Sequence, residues 1–77
     1  MKKITISALG ELRKKIVGEE TLELETSMTA FELVEKYFDI PKTEPRMAFV
    51  VNGKMQKGAY VVDDGDSIKV LKMGGAG

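Results

Sequence analysis

The sequence predicts an α+β domain, with a mixed sheet of four to five strands and helices on one face. Three observations carry this reading. Apolar and polar residues alternate with the two-residue period of half-buried strands in three separate stretches, Ile4–Ala8, Thr21–Glu25 and Ser67–Lys72. Between the second and third, Ala30, Leu33, Val34, Tyr37 and Phe38 recur at the spacing of one helical stripe. The strongest apolar run, Arg46 to Val51, ends on Asn52-Gly53, the preferred dipeptide of a two-residue hairpin turn. Hairpins joined through a crossover helix build a mixed sheet with its helices on one side.

Taken in order, the first strand puts Ile4, Ile6 and Ala8 on one face and Lys3, Thr5 and Ser7 on the other. Leu9, Leu12 and Ile16 then fall at i, i+3 and i+7, which predicts a short amphipathic helix. Basic residues near its end suit the helix dipole, and Gly18 is placed to take a left-handed C-cap. The next strand turns Leu22 and Leu24 inward. Thr29-Ala30-Phe31-Glu32 has the spacing of a capping box, with Thr29 as N-cap, Glu32 at N3 and Ser27 as a rival cap. Pro41 stops that helix, and the residue before it is expected to be extended. Arg46–Val51 reads as a strand either buried on both faces or leaving an apolar face partly open. Lys54–Gly58 returns as a short or irregular strand, and Ala59–Val62 is a further short extended piece. Asp63-Asp64-Gly65-Asp66 reads as a turn, because Asp tolerates the left-handed region and Gly enters it freely. Ser67–Lys72 is the last strand, with Ile68 and Val70 facing one way. The domain is expected to span residues 1–72, and residues 73–77 to form a flexible glycine-rich tail.

Composition narrows the function. The chain has no cysteine and no histidine, which excludes disulfides, Cys/His zinc sites, cysteine nucleophiles and Ser-His-Asp triads. Asp63, Asp64 and Asp66 crowd one loop but lack the regular spacing and distal Glu of a calcium loop. No metal site is expected. Gly74-Gly75-Ala76-Gly77 has no helix after it to aim amides at a phosphate. No apolar run is long enough to cross a membrane, and Met1–Ile6 lacks a signal-peptide core, so a cytoplasmic protein is expected. The formal net charge of zero argues against nucleic acid as the main partner. It conceals a pattern: residues 1–18 hold five cations and one anion, residues 19–44 two and eight, residues 45–77 five and three. Such segregation suits orienting a protein partner, or simply solvated faces of mixed charge. No constellation amounts to an active site, so an enzyme acting alone is not expected.

The tail poses the question. Glycines at a terminus are what a frayed or appended end would carry. They are also what a backbone needs to thread a narrow channel in another protein, because no Cβ stands in the way. A terminal carboxylate is a poor electrophile and needs activation, for instance as an acyl-adenylate. Composition does not choose between these readings.

Several parts taken together do discriminate. Ile4–Ala8 runs into Leu9-Gly10-Glu11-Leu12-Arg13; a Thr29-capped helix follows; then come Val50-Val51-Asn52-Gly53-Lys54, Asp64-Gly65-Asp66, a closing strand and Gly74-Gly75. In this order and spacing, over nearly the full length, the chain resembles the ubiquitin-like sulfur carriers: the small subunit of molybdopterin synthase and the thiazole-pathway carrier. The resemblance implies a β-grasp fold. It implies that Gly75 carries the acyl group and that Gly74 keeps the approach to a channel clear. It implies as partners an ATP-using, ubiquitin-activating-like adenylyltransferase and a sulfur-accepting synthase subunit, with no cofactor held by the carrier itself. In such carriers the adenylated carboxyl becomes a thiocarboxylate that hands sulfide to a biosynthetic intermediate.

Ala76 and Gly77 stand beyond the usual Gly-Gly stop; as native residues they imply a processing peptidase, and as an appended end they need no explanation. Lys72-Met73 stand where molybdopterin-type carriers usually have a Pro-containing apolar stretch. The insert after the first strand favours the molybdopterin branch; a thiazole or amino-acid route, and conjugation to lysines, use the same tail. A different class of function is a docking module without covalent chemistry, built on Met47–Val51 and Met55.

Overall fold

The computed structural model describes residues 1–41 and 47–72. Five strands form one mixed sheet: β1 (Lys2–Ala8), β2 (Glu20–Leu24), β3 (Met47–Val51), β4 (Lys54–Gln56) and β5 (Ser67–Lys72), in the order β2-β1-β5-β3-β4. β1 and β5 run parallel at the centre, and each outer pair is an antiparallel hairpin. One α-helix, α1 (Ala30–Phe38), and a 3-10 helix (Gly10–Lys14) complete the described elements. The expected α+β mixed sheet is present. Arg46, expected to open β3, lies outside the described residues, as do Gly74 and Gly75.

The core lies between the sheet and α1. Ile4, Ile6, Leu24, Phe49, Val51, Ile68 and Val70 point inward from the strands, and Ala30, Leu33 and Val34 meet them from the helix. Phe49 is fully buried, and the Phe31 ring stands edge-on to it with centroids 5.6 Å apart. The capping box of α1 is complete: the Glu32 N–H donates to Thr29 Oγ1 (3.1 Å), and the Thr29 N–H donates to Glu32 Oε1 (2.8 Å). Ser27 is no cap; its hydroxyl accepts from Lys2 Nζ at 3.0 Å. The helix ends where Asp39 turns left-handed (φ 55°), and the Ile40 N–H reaches back to the Val34 carbonyl.

Four expectations change. The helix after β1 is a five-residue 3-10 turn, and Leu9 is not in it: its backbone is extended (φ −121°, ψ 153°) and its N–H donates to Val70 O. Leu9 therefore continues the strand alternation outward and is exposed, whereas Leu12 and Ile16 are buried as expected. Gly18 is left-handed (φ 69°) but lies beyond this short helix and does not cap it. Tyr37 has the right angle for the buried stripe but is not part of the core. It lies over a cleft lined by Met1, Glu23, Glu25 and Met28 and is exposed. Ala59–Val62 forms no strand; a single bridge pairs Val61 with Thr29.

The Asn52-Gly53 turn has both residues at positive φ (52° and 85°), the geometry of the expected two-residue hairpin. It sets Val51 opposite Lys54 and Phe49 opposite Gln56. β3 thus buries one face, Phe49 and Val51, and leaves Ala48 and Val50 half-covered on the other. Of the two readings of this strand, the partly open apolar face is the correct one.

Candidate functional site

The site worth building is the last strand, because it delivers the chain to the tail. β5 is bonded on both sides, to β1 over Thr5–Ala8 and to β3 over Met47–Val51. Its two ends differ.

The starting end is a polar lock around Asp66, the one buried polar or charged residue among those described. Asp66 Oδ1 accepts from the Asn52 side-chain amide (2.8 Å). Asp66 Oδ2 accepts from the Tyr60 hydroxyl (2.8 Å) and from the Asp63 N–H (2.7 Å). Burial pushes the Asp66 carboxyl up. The Asp63 amide, the Tyr60 hydroxyl, the Asn52 amide and the Lys2 charge outweigh it and leave the carboxyl below its ordinary value. The Tyr60 phenol is raised, first by donating that hydrogen bond, then by burial and by the negative charge of Asp66 and Asp63.

The neighbouring carboxylates are also engaged. Asp64 Oδ1 accepts from the Lys3 N–H (2.7 Å), and Asp63 Oδ1 accepts from the Asp64 N–H (2.9 Å) and pairs with Lys2 Nζ at 3.8 Å. The loop is a turn, with Gly65 at φ 86°, and among the described residues no cluster of acids could hold a metal. Sequence reasoning found the turn but missed the lock. The signal available was an Asn-Gly and an Asp-Gly-Asp placed directly against the two most apolar strands.

The finishing end is apolar and open. Lys72 pairs with Met47 and Leu71 with Ala48. On the outer face of the sheet, the cross-strand rows Leu71–Ala48 and Lys69–Val50–Met55 leave Ala48, Val50 and Leu71 half-covered and Met55 55% exposed. The expected docking patch therefore loses Phe49 and Val51, which are core, and gains Leu71. Gly75, expected to carry the acyl group, and Gly74, expected to keep the approach to a channel clear, follow Met73 in the sequence and lie outside the described residues. No described side chain at this end supplies a nucleophile or a proton-transfer pair.

A family model described as the ThiS family matches residues 6–75. The chain belongs to the ThiS family. The match covers nearly all of the sheet and ends on Gly75, leaving Ala76 and Gly77 beyond it. Among solved structures, one provisionally named molybdopterin converting factor, subunit 1, from Pyrococcus furiosus is similar to this chain. The TM-score is 0.71 at 20% identity, covering 94% of this chain and 98% of that one. At that identity the likeness establishes the fold, the β-grasp expected from the sequence. No curated protein matches the chain. Membership of the ThiS family supports a sulfur-carrier role. Among the described residues no helix is long and apolar enough to cross a membrane.

Proposed function

We propose that the protein is a sulfur carrier acting through Gly75. A ubiquitin-activating-like adenylyltransferase uses ATP to convert the Gly75 carboxylate into an acyl-adenylate. The outer sulfur of a persulfide then attacks the acyl carbon and expels AMP, and a thiol of the sulfur-donating machinery cleaves the resulting acyl disulfide, leaving a new disulfide there and a thiocarboxylate on the carrier, which a synthase subunit draws into its own pocket. A peptidase removes Ala76 and Gly77 beforehand, because Ala76 would set a Cβ where the channel needs bare backbone. The carrier supplies the tether and the docking surface; catalysis belongs to its partners.

The observation that carries this reading is the family match ending on Gly75. The name of the structural neighbour favours a molybdopterin-type acceptor over a thiazole or amino-acid route. The test is to incubate the chain, trimmed to Gly75 and untrimmed, with ATP, an activating enzyme and a sulfur donor. Intact mass should show one oxygen replaced by one sulfur on the trimmed form. If neither form gains sulfur with any cognate activating enzyme, the carrier reading fails.

One observation favours a second reading, a docking module without covalent chemistry: the exposed Met55 beside half-covered Ala48, Val50 and Leu71. Deleting residues 74–77 separates the two. A docking module keeps its partner affinity and its cellular role, and a carrier loses the role.

A further inference from the structure

Asn52 does more than turn the chain. It stands opposite Ser67, one step beyond the Val51–Ile68 pair that ends the β3–β5 ladder. The Asn52 N–H donates to the Ser67 carbonyl at 2.9 Å, as a ladder residue should. Its left-handed backbone (φ 52°) breaks the ladder there, and the side-chain Oδ1 stands in for a main-chain carbonyl, accepting from the Ser67 N–H at 2.9 Å. The nitrogen of the same side-chain amide donates to Asp66 Oδ1 at 2.8 Å. Both polar atoms of the Asn52 side chain are thus committed to the β5 side.

An asparagine followed by glycine carries its own reaction. The glycine nitrogen attacks the asparagine Cγ and loses its proton, Cγ expels the side-chain nitrogen as ammonia, and a five-membered succinimide closes. Water then opens either carbonyl of the ring and leaves aspartate or isoaspartate. Glycine obstructs this attack least, because it has no side chain. Here Asn52 and Gly53 are both exposed, and a Cβ built on Gly53 would stand in open space, so water and base reach the turn. Placement opposes ring closure. The chain leaves Asn52 toward β4, on the far side of β3 from β5, while the side chain is held toward β5. The Gly53 nitrogen meets Cγ only after both bonds of the side-chain amide are released.

We propose that Asn52 is a guarded self-modification site: it converts to aspartate or isoaspartate through the Gly53 amide when the lock around Asp66 opens, and the converted side chain keeps the lock from closing again. The second half follows from charge. The product is a carboxylate in place of an amide whose nitrogen lay 2.8 Å from Asp66 Oδ1. Two carboxylates then face each other, and the donor that residue 52 supplied is gone. Isoaspartate also adds a carbon to the main chain inside the turn that sets Val51 opposite Lys54. Asp66 Oδ2 holds the Tyr60 hydroxyl and the Asp63 N–H, so its displacement frees both of those segments along with the start of β5. Hydrolysis of the ring does not restore the amide, so the mark accumulates in chains that have opened. The tail plays no part in this chemistry, so failure here and failure of sulfur loading are separately readable.

The test is peptide mapping by mass spectrometry of the full chain held at mildly alkaline pH, in buffer and in unfolding urea. In urea the peptide holding Asn52 should show the mass gain of amide-to-acid conversion, with isoaspartate among the products. In buffer the conversion should be about tenfold slower or more. Tyr60→Phe removes one bond from Asp66 and should speed conversion in buffer about fivefold. Ile16→Val, a core change of similar cost past the 3-10 helix, should leave the rate within about twofold. Asn52→Asp stands for the product and should quicken solvent exchange of the Ser67 and Asp63 N–H groups about tenfold. Adding Asp66→Asn, which again sets one amide against one carboxylate, should recover most of that protection. Four results would overturn the proposal: conversion as fast in buffer as in urea, no conversion in urea, equal acceleration by Tyr60→Phe and Ile16→Val, or amide protection in Asn52→Asp equal to that of the unchanged chain.

Discussion

The two ends of β5 are built by opposite means. At Ser67 the strand begins in a lock of short hydrogen bonds, where one carboxylate holds the β3–β4 turn, the Tyr60 loop and the Asp63 turn together. The Ser67 N–H adds a bond to the Asn52 side chain, and the Gly65 N–H and Asp66 carbonyl tie the turn to β1. At Lys72 the strand ends among half-covered apolar side chains. A small domain cannot stabilise every part of itself equally, since its core is modest. Here directional bonds fix the end remote from the tail, and partner-accessible surface is kept for the end that presents it.

The contrast can be broken from either side. The largest effect belongs to the open end. Truncation before Gly74 should abolish sulfur loading in the mass assay, while the unfolding free energy from urea denaturation stays within about 0.5 kcal/mol of the full chain. Loss of stability on that scale or more would mean that the tail contributes to the fold. Asp66→Ala strikes the lock. It leaves the Tyr60 hydroxyl, the Asn52 amide and the Asp63 N–H without their acceptor and should cost about 3 kcal/mol by urea denaturation. Gly58→Ala forces a methyl into the Phe31 ring and should cost about 1–3 kcal/mol by the same measure.

pH addresses the lock without a substitution. A carboxyl held below its ordinary value contributes stability that is present above that value and is lost as pH falls through the lowered one. A phenol held above its ordinary value contributes stability that is present below that value and is lost as pH rises through the raised one. Stability should thus weaken below about pH 4 and above about pH 10, and Asp66→Asn should flatten the acid limb. The smallest effect is expected at Met55→Ser, within about 0.5 kcal/mol, because Met55 is more than half exposed. A larger loss would show that the outer face is part of the core after all.

Much of this was legible in the chain. The Thr29 box, the Asn52-Gly53 turn and the Ser67–Lys72 strand each depend on residues within a few positions of one another, and all three stand as read. What escaped depends on distant partners. Leu9 fits a helical stripe on paper, yet the Val70 carbonyl holds it as the last residue of a strand pattern. Tyr37 has the angle of a core residue but lines an open cleft with Met1, Glu23 and Glu25 instead. Asp66 looks like another turn aspartate until Asn52 and Tyr60 arrive from other segments. The tail lies outside the described residues, and the reading of its chemistry rests on family membership and on the assay above.

The position of β5 also bears on force. It is the one strand that joins the two hairpins, through four paired positions with β1 and five with β3. On the proposed function, a partner that draws the chain's end into its own channel loads this strand before any other. The load then falls across both ladders together, in shear, and no single hydrogen bond is peeled before the others. The body can be towed by its thread without unravelling.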